Sequence, residues 1–76
     1  MKLHERIREY REQRKFSQEY LAAQLGMSQN AYSRIELGQA KIQVDRILKI
    51  AELLDVSLVS LLDLEDRQVS ILIRIK

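Results

Sequence analysis

The chain has 76 residues, of which 46% are hydrophobic and 32% charged, with a formal net charge of +2. That length supports one compact core, burying roughly 60% of the unfolded chain's surface, so a second subunit would relieve a modest intrinsic stability. With no cysteine and a single histidine, His4, the inventory excludes a disulfide framework, a Cys/His zinc site and a cysteine nucleophile.

No metal or cofactor is expected, and a cysteine-free chain suits a reducing cytoplasm. The apolar runs are too short for a membrane span, and Met1 to Arg6 leads directly into charged periodic sequence, unlike an export signal. The charge is unevenly spread. Residues 1–41 hold eight Lys/Arg against five Glu, a balance of +3, and the remainder holds five basic against six acidic residues, a balance of −1. The positive potential therefore lies on the N-terminal part.

There is no proline, and Gly26 and Gly38 are the two glycines, both expected to end helices. Leu3, Ile7, Tyr10 and Arg14 fall at steps of three and four, which predicts a first helix from about Leu3 to Arg14. Ser17 is an N-cap opening a second helix to Leu25, with Leu21, Ala22 and Leu25 inward and Gly26 supplying a left-handed turn. Ser28 caps a third helix, with Ala31, Tyr32 and Ile35 inward, ended by Gly38.

A fourth helix, from about Val44 to Leu54, carries Val44, Ile47, Leu48, Ala51 and Leu54 at helical spacing, with Ile50 and Leu53 widening the stripe. Ser57 caps a last short helix, Leu58 to about Leu62. From Val69 the period changes to two. Val69, Ile71, Ile73 and Ile75 alternate with Ser70, Leu72, Arg74 and Lys76, predicting a strand after a polar connector, Asp63 to Gln68. The expected fold is all-α, five helices plus a short C-terminal β-strand, divided into a domain over 1–64 and a connector with strand over 65–76.

Two helices meeting steeply across a short turn need a small residue at the crossing, a glycine in the turn and apolar residues on the facing sides. Ala22, Gly26, and the set Leu21, Leu25, Met27, Tyr32 and Ile35 meet these demands. The segments Phe16-Ser17-Gln18, Leu25-Gly26-Met27-Ser28, Ser33 to Gly38 and Leu48 to Ser57 together resemble the phage repressor and Cro-like helix-turn-helix family, also known as the Xre family. The resemblance runs from about Ile7 to Leu62. It implies a five-helix lambda-repressor-like DNA-binding domain whose third helix enters the major groove while the second lies across the backbone.

By that resemblance, Gln29, Asn30 and Arg34 read base edges, with Ser33 a further outward candidate. Gln and Asn suit adenine and Arg suits guanine, each good bidentate pair discriminating by about 1–3 kcal/mol. Gln18, Ser28, Gln39 and Lys41 are the expected backbone contacts; Gln18 opens a helix whose free N–H groups favour phosphate. Lys41 is a single cation where relatives often have several, and the proline that many carry in this loop is replaced by Ile42 and Gln43. Arg11 and Glu36 match positions that form a structural ion pair in relatives.

Tyr32 reads as core and Tyr20 as the most exposed tyrosine, while His4 reads as a surface residue. No serine has a histidine or lysine arrangement suggesting a nucleophile, and no Gly-rich phosphate loop is present, so no enzymatic activity is expected. Val69, Ile71, Ile73 and Ile75 form an edge that a second copy would pair, and some Cro-like relatives dimerise through such a strand. The sequence thus points to a cytoplasmic homodimeric regulator of transcription, a repressor on palindromic double-stranded DNA. The competing reading is a protein-interaction module, such as an antitoxin or restriction-system control protein, with a partner protein in place of DNA.

Overall fold

The computed structural model describes residues 1–63, which form five helices: α1 (Leu3–Gln13), α2 (Gln18–Gln24), α3 (Gln29–Glu36), α4 (Val44–Leu54) and α5 (Leu58–Leu62). Among these described residues there is no strand, so the fold they show is all-helical. The alternating segment with Val69, Ile71, Ile73 and Ile75, and all but the first residue of its connector, lie outside them.

Serine caps set the starts of three helices. The Oγ of Ser17, Ser28 and Ser57 accepts from the backbone N–H of Tyr20, Ala31 and Ser60 at 2.9, 3.1 and 3.1 Å respectively. Each satisfies a donor that the first helical turn leaves without a partner. The ends differ from one another. Gly26 and Gly38 follow α2 and α3 with φ of +68° and +76°, as expected of left-handed stops, whereas α4 and α5 end on Asp55 and Asp63 at φ of 54° and 55°. Aspartate tolerates this conformation better than most residues with a side chain, which explains how the chain stops two helices without glycine.

The core is one cluster of Ile7, Leu21, Ala22, Tyr32, Ile35, Ile50, Ala51, Leu54 and Leu61. It draws on all five helices, and α3 packs directly on α1 and α2, so it cannot shift without disturbing both. Two expectations about stripes are corrected. Val44 and Leu48, expected inward, are 61% and 41% exposed, because the core takes Ile50, Ala51 and Leu54 from α4, with Ile47 and Leu53 packed against it. In α1 the buried line runs through Ile7 and Arg11; Arg14 closes the helix as its C-cap, its guanidinium 5.2 Å from the Tyr10 ring centre.

Candidate nucleic-acid interface

The polar face of α3 follows from its sequence period. Tyr32, Ile35 and Glu36 are buried, and this fixes the opposite side, where Gln29, Asn30 and Arg34 are exposed and Ser33 is half-buried. Residues four apart stand one above the other on a helix, so Gln29 sits over Ser33 and Asn30 over Arg34. No carboxylate lies within salt-bridge distance of Arg34 among the described residues. Four side chains rich in hydrogen-bonding groups are thus offered to solvent on a helix whose other side is anchored.

The turn before α3 fixes its entry. Gly26 and Met27 donate backbone N–H bonds to Ala23 and Ala22 carbonyls at 3.1 and 3.0 Å, reversing the chain after α2. A Cβ added at Gly26 would meet nothing within 4 Å, so glycine is required here for its positive φ alone. Gly38 is different. A Cβ there would lie 2.8 to 3.0 Å from the His4 ring, so the absent side chain also makes room for α1 to pack its imidazole on the end of α3. His4 is therefore half-buried rather than a free surface residue.

Glu36 anchors the buried side of α3. Its carboxylate accepts from Arg11 Nε at 2.6 Å and Nη2 at 3.1 Å, from Gln18 Nε2 at 3.0 Å, and from the Tyr32 hydroxyl. Arg11 also donates through Nη1 to the Phe16 carbonyl at 2.7 Å. No buried side-chain polar atom among the described residues lacks a partner. Burial pushes the Glu36 carboxyl up, but the hydrogen bonds from Arg11, Tyr32 and Gln18 together outweigh it and hold the group below its usual range. Burial, then the bond to Glu36, drives the Tyr32 hydroxyl far above its ordinary value, so it remains a donor.

Of the expected backbone contacts, Ser28, Gln39 and Lys41 are exposed, and Gln18 is half-buried. Ser28 has spent its oxygen as an acceptor on the cap, which leaves its hydroxyl proton for an outside acceptor. Gln18 is tied to Glu36, so one amide proton serves the interior and the other remains available. Gln39 donates its backbone N–H to the Arg34 carbonyl at 2.9 Å, closing the end of α3. Arg34, Gln39 and Lys41 line one cleft of about 360 Å³; Gln29, Asn30 and Ser33 stand outside it.

Three features escaped sequence reasoning. Tyr32 and Glu36 are four apart, so their pairing was available from helical spacing. The contribution of Gln18 to the same carboxylate needed the angle between α2 and α3. Arg46, which lines the cleft with Arg34 and Lys41, carried no signal beyond its charge.

These observations define a small helical domain that presents an anchored, polar helix behind a glycine turn. The profile of the helix-turn-helix family matches residues 7–61, and the chain belongs to that family, in its phage repressor and Cro-like (Xre) branch. The family is one of DNA-binding regulators. Comparison with curated proteins and with solved structures gives no significant match. No helix among the described residues is long and apolar enough to cross a membrane.

Proposed function

We propose that the chain is a sequence-specific regulator of transcription, a repressor that binds a palindromic operator as a homodimer. The observation that carries this reading is the division of α3, with Tyr32, Ile35 and Glu36 buried and Gln29, Asn30 and Arg34 exposed. On this reading Gln29, Asn30, Ser33 and Arg34 reach base edges, while Gln18, Ser28, Gln39 and Lys41 hold phosphates. The segment from Val69 through Ile71, Ile73 and Ile75 pairs two copies, placing their recognition helices about one helical turn, ~34 Å, apart. The repressor then excludes polymerase from the promoter.

Selection of bound duplexes from a random pool, with wild type and Arg34→Ala at one salt concentration, tests the reading. A palindromic preference that relaxes at one symmetric pair of positions in the variant supports specific readout by Arg34; a wild type that enriches nothing refutes it.

One observation favours the protein-interaction reading. Val44 and Leu48 lie one turn apart on α4 and are exposed, a surface that a partner protein would cover. Salt dependence separates the two, because phosphate neutralisation makes log K fall with log salt, and a module that binds only protein has no such duplex affinity.

A further inference from the structure

Arg46 occupies an unfavourable position. It lies in the first turn of α4, two residues after Val44 opens the helix, where the exposed N–H groups make the local potential positive and a cation costs stability. It is half-buried, and no carboxylate lies within 4.0 Å of its guanidinium among the described residues. Neighbouring Asp45 makes no ion pair with it: Asp45 Oδ1 accepts from the backbone N–H of Arg46 at 2.9 Å, and Asp45 lines a separate cleft with Lys41, Gln43 and Arg46. The contact its side chain does make is from Nη1 to the Met27 sulfur at 3.3 Å, a weak acceptor.

That contact orients the guanidinium. Met27 belongs to the turn before α3, so Arg46 reaches from α4 across to the entrance of the recognition helix. There it lines the same cleft as Arg34, Gln39 and Lys41, and among the described residues no acidic side chain lines that cleft. The contrast with the opposite side is informative, because the cleft between α1 and the end of α3 is lined by Glu5, Glu9 and Glu12 beside Arg8. Among the described residues, three cations without an acidic partner within 4.0 Å converge on this cleft, whereas Arg8 and Lys49 pair with Glu12 and Glu52 on their own helices.

We propose that Arg46 is a phosphate-binding residue, and that Arg46 and Lys41 take a phosphodiester group of the DNA backbone in the cleft they line, beside the bases that Arg34 and the rest of the exposed face of α3 read. This rests on the DNA-binding reading above and deepens it. Three donors of like charge held around one concavity repel one another when it is empty, and an anion removes the repulsion. Arg supplies planar, paired N–H groups that match phosphate oxygens. The missing second basic residue of the loop after Gly38 is thereby replaced from α4, a different element.

The test is fluorescence anisotropy with a fluorescein-labelled mixed-sequence DNA duplex, over a salt series, for wild type, Arg46→Gln and Arg46→Lys. Removing one phosphate contact makes the slope of log K on log salt shallower by about 0.9, so a fourfold rise in salt costs Arg46→Gln about 3.5-fold less affinity than it costs wild type. Arg46→Lys keeps the slope. The sequence selected from a random pool stays that of wild type in Arg46→Gln, since a phosphate contact carries no base information. Thermal unfolding of Arg46→Gln occurs at or above the wild-type midpoint.

If wild type binds with a steep slope and Arg46→Gln matches it in slope and affinity, the inference about Arg46 is overturned while the DNA-binding reading stands. If wild type has no salt-dependent duplex affinity, both fall. Should Arg46→Gln melt early, the slopes are compared at a temperature where all three proteins are folded: a slope in Arg46→Gln shallower than those of wild type and Arg46→Lys supports the charge contact, and equal slopes in all three overturn it.

Discussion

Replacing Glu36 by glutamine changes one atom's chemistry and almost nothing of its shape, yet every group around that carboxylate is a donor. Arg11, Gln18 and Tyr32 direct their bonds at its two oxygens. In Glu36→Gln one oxygen becomes an NH2 facing donors, and Arg11, its side chain 11% exposed, loses its counter-charge. Breaking a buried pair on one side costs about 3–5 kcal/mol. At roughly 0.05–0.15 kcal/mol per residue a chain of 76 residues has about 4–11 kcal/mol in all. The variant therefore loses a large share of its stability. Urea unfolding followed by circular dichroism reads this directly, since a slope of about 1 kcal/mol per M for a small domain turns the loss into a midpoint shift of about 3–5 M.

The pH dependence sharpens the same prediction. The Glu36 carboxyl titrates near 4.5 when unfolded and lower when folded. A depressed folded value means that its contribution is fully present above 4.5 and is lost as pH falls through the folded value. The gap between wild type and Glu36→Gln should therefore hold steady from neutrality down to 4.5 and narrow below it, with the other carboxylates cancelling in the difference. A gap under about 1 kcal/mol, the size of an exposed pair, or one that does not change on acidification, would refute the account of α3 as held by an ionised, donor-saturated carboxylate.

The two glycines should respond differently to alanine. Gly26→Ala, with open space around its Cβ, should cost only the left-handed backbone, about 1–2 kcal/mol, whereas Gly38→Ala adds the collision with His4 and should cost more. His4→Ala should recover the excess and no more, as read from thermal midpoints of the single and double variants. Ser28→Ala should lose about 1 kcal/mol of stability with the α3 cap, and weaken duplex binding further if its hydroxyl proton meets a phosphate; equal affinities at matched folded fractions would remove that contact. Deleting Val69 to Lys76 should halve the mass in solution by light scattering and weaken operator binding, and an unchanged mass would remove the dimer strand from the proposal.

The helices were legible because their signals are local. Ser17, Ser28 and Ser57 each precede a periodic run, and each proves to be a cap. The α4 stripe misled because that helix is apolar over most of its circumference. Val44, Ile47, Leu48, Ile50, Ala51, Leu53 and Leu54 leave periodicity unable to say which arc meets the core, and tertiary packing chose the arc that leaves Val44 and Leu48 outside. The stops at Asp55 and Asp63 carried no glycine to announce them. His4 against Gly38, Gln18 against Glu36 and Arg46 against Met27 are long-range juxtapositions, and nothing in a one-dimensional pattern fixes the angles that create them.

Those three juxtapositions share a consequence. Each ties α3, or the turn before it, to a different neighbour: His4 from α1, Gln18 from α2, Arg46 from α4. The position of the proposed reading face is thus over-determined by contacts that do not involve its exposed side chains, Gln29, Asn30 and Arg34, which are free to differ at little cost in stability. Substitutions at Gln29, Asn30 or Arg34 should therefore alter which sequence is bound while leaving the thermal midpoint nearly unchanged, and substitutions at Glu36 should do the reverse. A variant set in which the two effects rise and fall together would show that reading and support are not separate in this fold, and would move the source of specificity from the exposed face of α3 to its packing.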